Sequence, residues 1–223
     1  MAENKNNMAM AQEGLAEESF IKKNLKTLCI GAAFVALVLV GIWGANLYFN
    51  ANNQKAAEAL APCEQLFQEG QYEKALNGDG AEIEGLLAVA DKYGRTKSGN
   101  LAKLYAGLAY AQLENYEEAE KFLSDFDAKG DEMISPAAIA ALANVQVQLN
   151  NNDKAVELFQ KAAKKANNVV LSPLFLVQAA EILEADGKTE EALKLYEEVK
   201  NNYGASQQAQ EIDKYIERAK AAK

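Results

Sequence analysis

Two different hydrophobic patterns divide the 223-residue chain. From Thr27 to Phe49 no charged residue occurs, and the apolar side chains of TLCIGAAFVALVLVGIWGANLYF surround every side of a helix rather than forming one stripe. At ~1.5 Å per residue such a helix spans roughly 35 Å, enough for a ~30 Å hydrocarbon core with some tilt. A buried core helix seldom runs this far without a polar face. Beyond Phe49 the apolar residues fall at spacings of three and four. Polar turns separate them at Glu114-Asn115, Asn150-Asn151-Asn152 and Asp186-Gly187-Lys188. This pattern predicts short helices joined in hairpins.

The hairpins repeat. Ala119, Ala155 and Ala192 stand 36 and 37 residues apart, each in a helix that opens on acidic or capping residues, and Leu123, Phe159 and Tyr196 follow them by four. Ser135-Pro136 and Ser172-Pro173 recur 37 residues apart, ahead of apolar runs. Serine as N-cap with proline at the first helical position is a start signal, because proline lacks an N–H that would be unpaired there. An earlier, degenerate unit begins near Asn50, with Gly70-Gln71-Tyr72-Glu73-Lys74-Ala75 as its turn. Asn77-Gly78-Asp79-Gly80 interrupts its second helix, which is expected to resume near Ala81 and run to Tyr93. Pro62 is expected to kink or restart its first helix. A last helix, about Ser206 to Ala222, presents Gln207, Gln210, Glu211, Lys214, Glu217 and Arg218 as a polar, solvent-facing face suited to a terminal cap. One hairpin cannot bury its apolar face alone, whereas several stacked hairpins share a continuous core. At the repeated alanines a bulky side chain is expected to overpack, at ~1–3 kcal/mol.

These units resemble the tetratricopeptide repeat. In the copy at roughly 100–133, Gly107 and Tyr110 match that family's first-helix positions, and Tyr116 and Ala119 match its turn and second helix. The copy at 135–168 has Leu142, Ala143, Ala155, Phe159 and Ala162, with Gln146 in place of the tyrosine. The copy at 172–206 has Ala180, Leu183, Ala192 and Tyr196. The first-helix tryptophan is absent, and the spacings run two or three residues long. The resemblance implies an all-α solenoid of helical hairpins whose first helices line a concave, partner-binding groove. Carried over by position, the groove comprises Leu104, Tyr105, Leu108, Gln112, Asn144, Gln148, Val177, Gln178 and Glu181. The apolar patch of Leu104, Tyr105 and Leu108 is open to two readings, a seat for a hydrophobic partner segment or a surface covered by the degenerate first unit.

Composition and charge narrow the chemistry. With 49% hydrophobic residues, only 8% aromatics and 3 Pro, close helix packing is favoured over a sandwich. The formal charge is −9. Residues 1–26 balance Lys5, Lys22, Lys23 and Lys26 against Glu3, Glu13, Glu17 and Glu18, so the excess acid lies beyond them. An acidic domain repels phosphate backbones, which disfavours nucleic acid as partner. Lys22, Lys23 and Lys26 precede the apolar run, and the next cation is Lys55. That asymmetry places residues 1–26 in the cytoplasm and the acidic domain outside, with Trp43, Tyr48 and Phe49 at the far interface. Cleavage as a signal peptide is disfavoured, since Trp43 or Phe49 would occupy the small-residue position. Gly41 and Ala45 have the small-xxx-small spacing of membrane helix contacts, a weak signal.

No histidine is present, which removes imidazole-dependent hydrolases and HExxH zinc sites. Cys29 and Cys63 read as small apolar fillers in separate regions and are not expected to pair. Aligned on Gly80, a calcium loop would need carboxylates where Ala75 and Leu86 stand, and aligned on Gly130 it meets Pro136. No phosphate-cradling GxxxxGK[ST] occurs. The expectation is a protein without catalytic residues, metal or cofactor.

The layout is a tail (1–26), a signal anchor (27–49) and a repeat domain (50–223). It resembles the YfgM-like ancillary subunits of the SecYEG translocon, including locally Asn24-Leu25-Lys26-Thr27-Leu28 leading to Gly41-Ile42-Trp43-Gly44. That resemblance implies a single-pass protein of the bacterial inner membrane with a periplasmic, non-enzymatic, chaperone-like binding module. Its implied partners are translocon subunits, a membrane-anchored periplasmic chaperone and secreted client chains. The alternative is a tetratricopeptide scaffold in envelope assembly or cell division.

Overall fold

Every described element is an α-helix, and the computed structural model describes residues 2–128 and 131–221, with the side chains of 2–22 and Leu28 excepted. α1 runs Ala2–Gln68, α2 Tyr72–Asn77, α3 Leu86–Tyr93, α4 Lys97–Gln112 and α5 Tyr116–Asp125. α6 (Ile134–Gln148), α7 (Asn152–Ala166), α8 (Leu171–Ala185), α9 (Thr189–Asn202) and α10 (Gln207–Ala221) follow. The chain divides into two compact units, Met1–Ala51 and Asn52–Lys223. In the first unit, α1 is bare on all sides over its apolar run: Phe34, Leu37 and Trp43 are each about two-thirds exposed or more (67%, 72% and 65%). Among the described residues this is one helix long and apolar enough to cross a membrane.

In the second unit the helices form hairpins, and one turn geometry recurs in all of them. Gly70, Glu114, Asn150 and Gly187 each adopt a left-handed φ of 75°, 60°, 58° and 74°. The residue after each donates its N–H to a carbonyl five positions back: Gln71 to Leu66, Asn115 to Tyr110, Asn151 to Gln146 and Lys188 to Leu183. This is the Schellman arrangement, which satisfies last-turn carbonyls while reversing the chain. It assigns the degenerate first unit to the same series. There the end of α1 pairs with a second helix broken into α2 and α3, followed by the hairpins α4–α5, α6–α7 and α8–α9.

Three sequence expectations shift. The helix expected from Ala81 begins at Leu86. Asp79 Oδ1 accepts the N–H groups of Ala81, Glu82 and Ile83 at 2.9, 3.0 and 2.9 Å, so these donors close a loop instead of starting a helix. Gly78 and Gly85, at φ 82° and 88°, bring its ends together, since a Cβ on Gly85 would stand 2.4 Å from Gly78 N. Pro62 does not restart α1, which runs through it to Gln68. Finally, Ser135-Pro136 and Ser172-Pro173 lie inside the first turns of α6 and α8 rather than at N-cap and first position. The capping side chains are Asp131, which accepts from Met133 and Ile134, and Asn168, which accepts from Val170 and Leu171. Proline still fits, because the first four N–H groups of a helix have no intrahelical acceptor. Ser172 serves elsewhere: its hydroxyl donates to Ala163 O at 2.7 Å and ties α8 to α7. Of the expected cap at the C-terminal end, α10 begins one residue after Ser206, whose Oγ accepts from Ala209 N at 3.1 Å, and Ala222 lies outside the described residues.

Packing follows the periodic alanines, for Ala119, Ala155 and Ala192 are wholly buried. Phe159 and Tyr196, four residues beyond two of them, lie in a core shared by α6 to α10. Leu104, Ala119, Leu123, Ala138 and Val145 join α4, α5 and α6. Leu60, Cys63, Ala75, Leu86 and Ala102 close the first unit of the stack onto α4. Each hairpin is thus completed by its neighbour.

Candidate partner-binding surface

The candidate residues all lie on the first helices of the hairpins, α4, α6 and α8. Leu104, Tyr105 and Leu108, on one face of α4, line a cavity of about 380 Å³. Its opposite wall is Met133, Ile134, Ala137 and Ala141, at the start of α6. Met133 is 65% exposed and Ile134 43%. These two apolar residues were missed by position-matching, since they precede the repeat positions. The available signal was two large apolar residues directly after the polar run Lys129-Gly130-Asp131-Glu132.

Both readings of the α4 patch hold in part. Tyr105 packs edge-on against Phe67 at the end of α1, with ring centroids 5.2 Å apart, so the degenerate first hairpin covers one side. Burial pushes the Tyr105 hydroxyl above the ordinary tyrosine value, and the neighbouring Glu64 carboxylate adds to it. Leu104 is largely core, whereas Leu108 is half-buried. The remaining candidates do not join this cavity. Gln112, Asn144, Gln148 and Glu181 are exposed and Gln178 is half-buried. Val177, 7% exposed, lines a second cavity of about 310 Å³ whose other walls are Gln207, Gln210, Glu211 and Tyr215 of α10.

Among the described residues lining the cavity, Tyr105 is the titratable one and the rest are apolar, so the cavity is suited to packing an apolar group. Among the described residues, no three His, Cys, Asp or Glu side chains gather to hold a metal. Cys63 is buried and Cys29 exposed, both as free thiols, and burial pushes the Cys63 thiol up, away from a reactive thiolate.

A second set of contacts lies at the turns between first and second helices and repeats along the stack. Lys154 reaches back to Glu120 at 2.6 Å, Lys188 to Asp153, Asn152 forward to Asp186 at 2.7 Å, and Arg218 to Glu184. Their sequence separations are 34 or 35 residues. The exposed lysine pairs are screened by solvent and fix register more than stability. The Arg218 pair is better formed, with Nε and Nη2 at 2.9 and 2.8 Å from the two Glu184 oxygens and Tyr196 Oη donating to Oε2 at 3.0 Å. These donors, Arg218 first, hold the Glu184 carboxyl below the usual range.

The sequence pattern of the Tetratricopeptide repeat-like domain matches residues 18–211. Two crystal structures of TPR-like repeats from a Podosopora anserina protein described as a kinesin light chain share the architecture. One is 18% identical with a TM-score of 0.56, covering 76% of this chain and 87% of its own. The other is 16% identical with a TM-score of 0.52, covering 76% and 97%. At such identities the likeness concerns the fold alone. No curated protein matches the sequence.

Proposed function

Because the chain belongs to the tetratricopeptide repeat-like domain family, a fold that serves protein–protein interaction, we propose that it is a membrane-anchored binding module. The observation that carries this reading is the apolar cavity between α4 and α6, open beside the solvent-exposed Met133 and Ile134. It suits one or two apolar side chains of a partner's segment. Gln112, Asn144, Gln148, Gln178 and Glu181 provide polar positions along the same series of first helices, and Val177 marks the second cavity.

In this reading residues 1–26 form a cytoplasmic tail, 27–49 the anchor, and 50–223 a periplasmic repeat domain at the inner membrane. The lysine asymmetry across the apolar run supports the orientation. The domain acts as a non-enzymatic helper beside the Sec translocon, meeting secreted chains and a membrane-anchored chaperone. Tethering raises the effective concentration of a weak groove near its clients.

The test is photocrosslinking in cells from Leu108 and Met133, with mild-detergent co-purification alongside. Adducts with translocon subunits or nascent secreted chains are expected. Crosslinks to stable envelope assembly or division proteins instead, without translocon subunits, would replace this reading with that of a scaffold.

A further inference from the structure

The two edges of the repeat domain differ in charge and in exposed apolar surface. At one edge α5, α7 and α9 open with acidic first turns, carrying Glu117 and Glu118, Asp153, and Glu190 and Glu191. This is the ordinary complement to the positive end of a helix dipole. At the other edge α4, α6 and α8 carry no acidic residue in their first turns. There, instead, Met133, Ile134, Val169 and Val170 are 65%, 43%, 55% and 67% exposed.

This apolar surface is held in place. Met133 and Val170 occupy equivalent positions, each donating its N–H to the capping oxygen two residues earlier, on Asp131 or Asn168. Lys164 and Lys165 close α7 next to the second pair. Asp127, Asp131 and Glu132 are the acidic residues in the connector before α6, and the Asp131 carboxylate is engaged by the N–H groups it caps.

The chain enters the repeat domain at the same edge. Asn53 Oδ1 accepts from Ser98 N, in the first turn of α4, at 2.9 Å. Asn100 in that turn exchanges two hydrogen bonds with the backbone of Asp127, in the connector leading to α6. Phe49, where the apolar run ends, and Asn53 are four positions apart, a reach of at most about 14 Å even fully extended.

We propose that this edge lies on the bilayer surface, with Met133, Ile134, Val169 and Val170 inserted into the headgroup layer. The inference rests on residues 27–49 being a membrane span. The positive ends of α4, α6 and α8 then face lipid phosphates, and the acidic edge points away from the anionic surface. Met133 and Ile134 are shared with the cavity wall, so the cavity opens near the lipid interface, where a segment leaving the membrane passes.

The experiment uses the full chain at one copy per nanodisc of phosphatidylethanolamine and phosphatidylglycerol, in a Cys29→Ser, Cys63→Ala background that leaves no native thiol. Single cysteines at Val170, at Glu117 on the opposite edge and at Val38 in the apolar run carry a polarity-sensitive fluorophore. The label at 170 is expected to be blue-shifted and to lose most of its iodide quenching relative to that at 117, with Val169→Asp restoring the quenching. Equal quenching at 170 and 117, with 38 shielded, overturns the edge placement and leaves the span intact. Free quenching at 38 overturns both.

Discussion

Gly107 on α4 meets Leu123 on α5 with no room for a methyl group. A Cβ there would stand 2.6 Å from Leu123 Cγ and 3.0 Å from its backbone N. The Leu123 side chain can rotate away, but the backbone nitrogen cannot move without shifting α5. Gly107→Ala is therefore expected to cost ~1–3 kcal/mol by overpacking, read from urea unfolding followed by the tyrosine near-UV signal. A cost below the error of that measurement would mean that the α4–α5 approach is looser than the geometry. Glu114 makes the opposite case. It holds the left-handed position that Gly70 and Gly187 fill in other hairpins, at φ 60°. A Cβ is disfavoured in that conformation, so Glu114→Gly should stabilise, and Gly187→Ala destabilise, each by ~1 kcal/mol. Loss of stability in Glu114→Gly would contradict the shared turn. Both positions were legible only in part. The turn glycines and polar residues marked the reversals in the sequence, but their common left-handed geometry is a property of the folded backbone.

At the scale of the element, α10 depends on one polar constellation and an apolar stripe. Ile212, Ile216 and Ala219 are buried against the preceding hairpin, and Arg218 is clamped to Glu184 and stacked over Tyr215. Arg218→Ala removes both donors from a mostly buried carboxylate and is expected to cost ~1–3 kcal/mol. Because the Glu184 carboxyl is depressed in the folded chain, its contribution is complete above the unfolded carboxylate value near ~4.3 and fades as pH falls through the lower folded value. The difference in stability between wild type and Arg218→Ala should accordingly narrow from about pH 6 to about pH 3. A gap that stays constant over that interval would assign the pair no electrostatic part. The degenerate first hairpin shows the other extreme. Its second helix is divided because Asp79 captures three backbone donors. The interruption was apparent from Asn77-Gly78-Asp79-Gly80, but not its length, which the contact between Gly78 and Gly85 sets.

At the scale of the whole molecule, hydrophobic periodicity alone determined much. It separated the uniformly apolar run of 27–49 from amphipathic helices, and it marked the alanines that are now wholly buried. These features depend on local spacing, because a helix buries whichever stripe is apolar and repeated stripes must stack. Only the tertiary structure decided which residues share a cavity. Leu104, Tyr105 and Leu108 came together as their spacing on α4 implied, but Met133 and Ile134 joined them from the start of α6, Phe67 covered Tyr105 from another hairpin, and Val177 turned toward α10. Such neighbours lie dozens of residues away along the chain, and their approach is set by how far each hairpin rotates on the next. That rotation results from the summed packing of many side chains, so no single stretch of sequence records it.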